Sequence, residues 1–135
     1  MRRILVVDDD KAIHRLFCRI LGKRFKIDYA EDGFDASEMV RRKNYNIIFL
    51  DMIMPRGLGL DFLKLVKKLK HKMPPVVIMT GFKADELIEE SLSLGADCCL
   101  HKPFERDELI SIINKIISQK DTQKNEKTYK GLLST

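Results

Sequence analysis

A chain of 135 residues, 44% hydrophobic and 33% charged, has room for one core and a tail, and its charges alternate with apolar runs in a way that excludes low-complexity disorder. The net charge of +5 is dispersed: Gln119 to Thr135 contributes +2, leaving +3 for Met1 to Ser118, too little to favour nucleic acid as a direct partner. The three cysteines, Cys18, Cys98 and Cys99, are an odd number with two adjacent, which argues against a disulfide framework or a Cys-rich zinc site and fits a reducing, cytoplasmic setting.

The first apolar run, Ile4 to Val7, stops at Asp8, Asp9 and Asp10, too soon for a signal peptide, and nowhere does the chain approach the roughly 18 apolar residues of a membrane span. That run reads as a strand. Ile13, Leu16, Phe17 and Ile20 follow at helical spacing, then a second strand over Lys26 to Ala30 whose alternation suits a sheet edge. Ala36, Met39 and Val40 mark a second helix, Asn46 to Leu50 a third strand, and Phe62, Val66 and Leu69 a third helix. Pro75 to Met79, a helix carrying Leu87, Ile88 and Leu92, Cys98 to His101, and a helix carrying Leu109, Ile112, Ile113 and Ile116 complete the order. Strict strand–helix alternation predicts an α/β fold: a doubly wound, five-stranded parallel sheet with helices on both faces. From Gln119 on, the chain is polar and basic, either an extension of the last helix or disordered.

In such a sheet, function gathers beyond the carboxyl ends of the strands. Those ends carry Asp8, Asp9 and Asp10; Asp51; Thr80 and Gly81; and Lys102 and Pro103. Taken singly, each has a plain reading: an Asp before a helix caps it, Asp51 is a turn residue, Thr80 a strand-to-loop junction, and Lys102 a solvated surface charge. Together they read differently. Carboxylates converging on one edge repel by about 4 kcal/mol per pair at 4 Å and an effective dielectric near 20. A hard cation such as Mg²⁺, with Mn²⁺ as the alternative, relieves this through oxygen ligands and leaves room for a phosphate. Lys102 adds a point charge suited to a phosphoryl oxygen, Thr80 a hydroxyl donor, and Asp51, on the central strand, is the candidate nucleophile.

The motifs Ile4-Leu5-Val6-Val7-Asp8-Asp9-Asp10, Ile48-Phe49-Leu50-Asp51-Met52-Ile53-Met54-Pro55, Gly57-Leu58-Gly59, Val77-Ile78-Met79-Thr80-Gly81, Gly95-Ala96-Asp97 and Lys102-Pro103-Phe104 resemble, in order and spacing, the receiver domain of two-component response regulators. The resemblance covers residues 3 to about 118, with 119–135 as the appended tail. It implies a flavodoxin-like fold and makes Asp51 the phosphoacceptor. Asp8, Asp9, Asp51 and the main-chain carbonyl of Ile53 would hold Mg²⁺, Thr80 and Lys102 would contact the phosphoryl group, and the bond before Pro103 would be cis. It implies a sensor histidine kinase or histidine phosphotransfer protein as donor. The readout would be by an effector protein or a second copy, through the fourth helix, fifth strand and fifth helix. Neither nucleic acid nor membrane is a direct partner on this reading.

The chain departs from the family at Cys99, where an aromatic residue usually stands three positions before the lysine. A small thiol cannot fill space inward as a ring does. In the family, the positions of Ile53 and Phe82 flank the entry of water; both are apolar here, which predicts slow loss of the phosphoryl group. His71 reads as solvated. The resemblance implies that the first helix docks the phosphoryl donor, which would make an exposed His14 contact surface, with ordinary solvation as the plainer alternative. Two other classes compete: a haloacid-dehalogenase-like phosphohydrolase, opposed by Ile53 where that family has its general-acid Asp, and the receiver part of a larger transcriptional regulator. A dimeric adaptor working without phosphate is a further alternative.

Overall fold

The computed structural model describes residues 1–54, 57–69, 73–81 and 85–133, with side chains for 1–52, 59–69, 73–81 and 87–119. The elements run β1 (Arg3–Val7), α1 (Lys11–Leu21), β2 (Lys26–Ala30), α2 (Gly33–Arg42), β3 (Ile47–Asp51), a short pair β4 (Ile53–Met54) and β5 (Gly57–Leu58), α3 (Gly59–Leu69), β6 (Val76–Thr80), α4 (Asp85–Ser93), β7 (Cys98–His101) and α5 (Arg106–Leu133). The chain divides into two compact units, Met1–Pro103 and Phe104–Thr135.

In the first unit, five strands form one parallel sheet in the order β2-β1-β3-β6-β7. The expected doubly wound fold is therefore present, and alternating β2 does lie at an edge. Strand order reverses between β1 and β3, which makes their carboxyl ends the topological switch point. The antiparallel pair β4 and β5 stands apart from this sheet and was not foreseen from the sequence.

Both sheet faces are covered because the central strands are apolar on both sides. Leu5, Val7, Ile48, Leu50, Val76 and Ile78 share one buried cluster with Ala36 and Val40 of α2 and Leu60, Leu63 and Val66 of α3. Alternate residues of the same strands, including Val6, Phe49 and Met79, are fully buried as well. On that side Phe17 of α1 meets Phe49 edge to face, with ring centroids 4.8 Å apart. Asp10 starts α1 by accepting the Ala12 N–H at 2.8 Å, and Asp32 starts α2 by accepting that of Asp35 at 2.8 Å.

Gly95 ends the turn after α4 with φ of 108°, a conformation that side chains with a Cβ disfavour. Asp97 then brackets the first residue of β6, its main-chain N–H donating to the Val76 carbonyl and its Oδ2 accepting the Val76 N–H, both at 2.8 Å. This fixes the register of β7. In the second unit, Leu109, Ile113 and Ile116 are buried at helical spacing along α5.

Candidate functional site

Neighbouring strands run in step, with Val7 opposite Leu50, Asp51 opposite Met79 and Thr80 opposite His101. Asp8, Asp51, Thr80 and Lys102 therefore reach one edge of the sheet together. Asp8 is fully buried, Asp51 is 8% exposed and Thr80 3% exposed. The backbone ties two of these positions directly, since the Lys102 N–H donates to the Thr80 carbonyl at 2.7 Å.

Every polar atom of Asp8 that the structure assigns a partner is engaged. Its N–H donates to the Ala30 carbonyl at 3.0 Å, its Oδ1 accepts the Asp10 N–H at 2.9 Å, and its Oδ2 accepts from Lys102 Nζ at 2.5 Å. The same ammonium lies 3.5 Å from Asp51 Oδ2. Burial acts against the charge of Lys102, but the hydrogen bond and charge of Asp8, followed by those of Asp51, outweigh it and raise its pKa above the usual lysine value.

Asp9 is exposed, and Asp8, Asp9 and Asp51 each offer one carboxylate oxygen, the three lying within 4.8 Å of one another. Among the described residues, three carboxylates and the Lys102 ammonium meet at this edge. A cluster of hard oxygen donors of this kind fits a divalent cation such as Mg²⁺. Among the described residues no other group of His, Cys, Asp or Glu meets the geometry for a metal.

Asp10 caps α1, as the plain reading held for an Asp in this cluster. The peptide before Pro103 is cis, as the resemblance implied. Cys99 is half-buried on β7, and burial pushes its thiol pKa up, which suits a neutral packing group. None of the three cysteines is in a disulfide. Ile53 opens β4 two residues after Asp51; its side chain, like Phe82 and His71, lies outside the described residues.

His14 corrects the reading of an exposed contact. The ring is partly buried: Nε2 lies 2.7 Å from the Asp8 main-chain oxygen, and the ring sits against Tyr29, with centroids 4.7 Å apart and planes at 31°. Helical spacing puts His14 on α1 without revealing that its ring reaches the end of β1. Asp28 was missed as well. It accepts from Tyr45 Oη at 2.7 Å, Lys43 Nζ at 3.3 Å and Arg3 Nη1 at 3.4 Å, three partners that only the folded register brings together.

Residues 4–114 match the family model of the response regulator receiver domain, and the chain belongs to that family. The "Transcriptional regulatory protein CpxR homolog" of Haemophilus influenzae is 32% identical over 135 residues, 99% of this chain and 58% of the relative. The "Phosphate regulon transcriptional regulatory protein PhoB" of Klebsiella pneumoniae is 35% identical over 86% of this chain and 52% of its own length. The chain thus spans little more than half of these relatives. Among solved structures, a CheY-like receiver domain protein from Methanospirillum hungatei is similar with a TM-score of 0.85 and 26% identity, over 91% of this chain and 98% of that one. A two-component response regulator from Clostridium difficile gives 0.81 and 27%, over 87% and 97%.

Proposed function

We propose that the chain accepts a phosphoryl group on Asp51 from the phosphohistidine of a sensor kinase or phosphotransfer protein, and that phosphorylation switches its conformation to control a partner. The observation that carries this reading is the ammonium of Lys102 between Asp8 and Asp51, at the strand end that also presents Asp9. Asp8, Asp9, Asp51 and the Ile53 main-chain carbonyl would hold Mg²⁺, with Mn²⁺ as the alternative. When bound, the cation would neutralise charge on the phosphoryl oxygens.

The chain's own groups account for the rest. An Asp51 carboxylate oxygen attacks phosphorus in line, an O–P bond forms as the P–N bond to the donor imidazole breaks, and the departing nitrogen keeps the electron pair. Lys102, held cationic by Asp8 and Asp51, moves its charge toward a phosphoryl oxygen. Thr80 donates its hydroxyl to another. The receiver is read as residues 1–118 and 119–135 as an appended segment, continued as helix through Leu133. The protein is a signalling switch rather than an enzyme turning over small phosphoesters.

A second reading, that this receiver serves a longer transcriptional regulator, is favoured by the names and lengths of the relatives. For the main proposal, beryllofluoride with Mg²⁺ should raise the melting temperature of the wild type and leave Asp51→Asn unchanged. An equal shift in both proteins would refute the role of Asp51.

A further inference from the structure

The geometry points to His14 as a positioning residue for the acid loop: its Nε2–H, donated to the main-chain carbonyl of Asp8, fixes the peptide that joins Asp8 to Asp9 and hence the direction of both carboxylates. A carbonyl oxygen can only accept, so at 2.7 Å the proton of this contact is carried by the ring nitrogen. The oxygen concerned belongs to the peptide unit between the two acids proposed as metal ligands. The Asp8 N–H and both of its carboxylate oxygens are held by Ala30, Asp10 and Lys102, so the carbonyl is the remaining handle on this residue. Rotation of the peptide plane would swing Asp9, an exposed residue, and redirect its carboxylate.

The ring is itself held. Tyr29 of β2 lies against it, and Asp10 anchors the start of α1 two residues from Asp8, so strand, helix and loop all bear on one hydrogen bond. Docking of α1 does not require this bond, because Phe17 and Leu21 already bury that helix against the protein. Partners that orient metal-binding groups from behind commonly govern affinity by tenfold or more.

The inference rests on the proposed cation site, and the experiment separates the two. Because the chain has no tryptophan, Mg²⁺ binding is followed by titration calorimetry on the full chain, with stability measured in EDTA alongside. His14→Phe keeps a ring beside Tyr29 and removes the donor; His14→Gln restores an N–H at similar reach and removes the ring. The expected result is Mg²⁺ binding weakened about tenfold in His14→Phe and near wild type in His14→Gln, whatever their order of stability in EDTA. Unchanged affinity in His14→Phe, or equal losses in both variants, would overturn the inference while wild-type binding stands. Should His14→Phe fail to fold, His14→Leu takes its place in the same comparison. Absence of saturable wild-type binding sensitive to Asp9→Asn would remove the cation reading and this inference with it.

Discussion

Lys102 neutralises two carboxylates with one ammonium, and its removal should be felt before any chemistry begins. In Lys102→Met, Asp8, with a side chain 1% exposed, would lose the ammonium that it shares with Asp51. Stranding a buried charge should lower stability in EDTA by about 3 kcal/mol, read by urea denaturation. Unaltered stability would show that the contact carries no net weight. Asp28 offers a separate test at the far side of β1. Burial raises its pKa, but hydrogen bonds from Tyr45 and Lys43 and the charges of Lys43 and Arg3 more than offset this and lower it. A folded pKa below the unfolded value of about 3.9 gives stability that is complete above that value and lost as pH falls through the folded one. Asp28→Asn should therefore flatten the acid limb of the stability profile below about pH 4, and an unchanged limb would count against the Asp28 network.

At the scale of the elements, the turn from β3 into α3 depends on one missing side chain. A Cβ on Gly59 would lie 2.6 Å from the Asp51 carbonyl oxygen and 3.0 Å from Met52 Cα, both backbone atoms, while the Gly59 N–H holds the Met52 carbonyl at 2.9 Å. Gly59→Ala should cost about 1–3 kcal/mol and slow labelling by acetyl phosphate, because the shift falls on the backbone of Asp51 itself. Gly33→Ala is the control: its nearest contact, Phe62 Cβ at 3.7 Å, is ordinary, and labelling should be unaffected. Much of this architecture is legible without coordinates. The hydrophobic pattern locates all five sheet strands to within a residue: β1, β3 and β6, buried on both faces, read as unbroken apolar segments, and edge strand β2 reads by its alternation. Asn46 falls just outside β3, where it pairs with Arg3 through both its main-chain N–H and its Oδ1. The pair β4 and β5 escaped notice because two-residue strands have no measurable period. The acids, Thr80 and Lys102 were legible because strand ends are fixed by topology. His14 and Asp28 were not, because their partners are set by how neighbouring elements pack.

For the molecule as a whole, the account makes the protein a switch whose resting state carries electrostatic strain. Repulsion among the three clustered carboxylates should make Asp9→Asn about 1 kcal/mol more stable than wild type in EDTA, a modest gain because Asp9 is exposed. Saturating Mg²⁺ should close or reverse that order, and a variant equally favoured with and without the ion would contradict the proposed site. Reversing a 1:99 equilibrium requires phosphorylation to favour the second state by about 5.5 kcal/mol, within reach of charge-assisted contacts to Lys102 and Thr80. With Cys99 where receivers carry a ring, that coupling has to run without an aromatic lever on β7. All of this presupposes that Asp51 takes the phosphoryl group. Intact-mass analysis after incubation with acetyl phosphate and Mg²⁺ tests this most directly. The account predicts one added phosphoryl group on the wild type, abolished by EDTA and absent from Asp51→Asn. The same mass gain on Asp51→Asn, or none on the wild type, would contradict it.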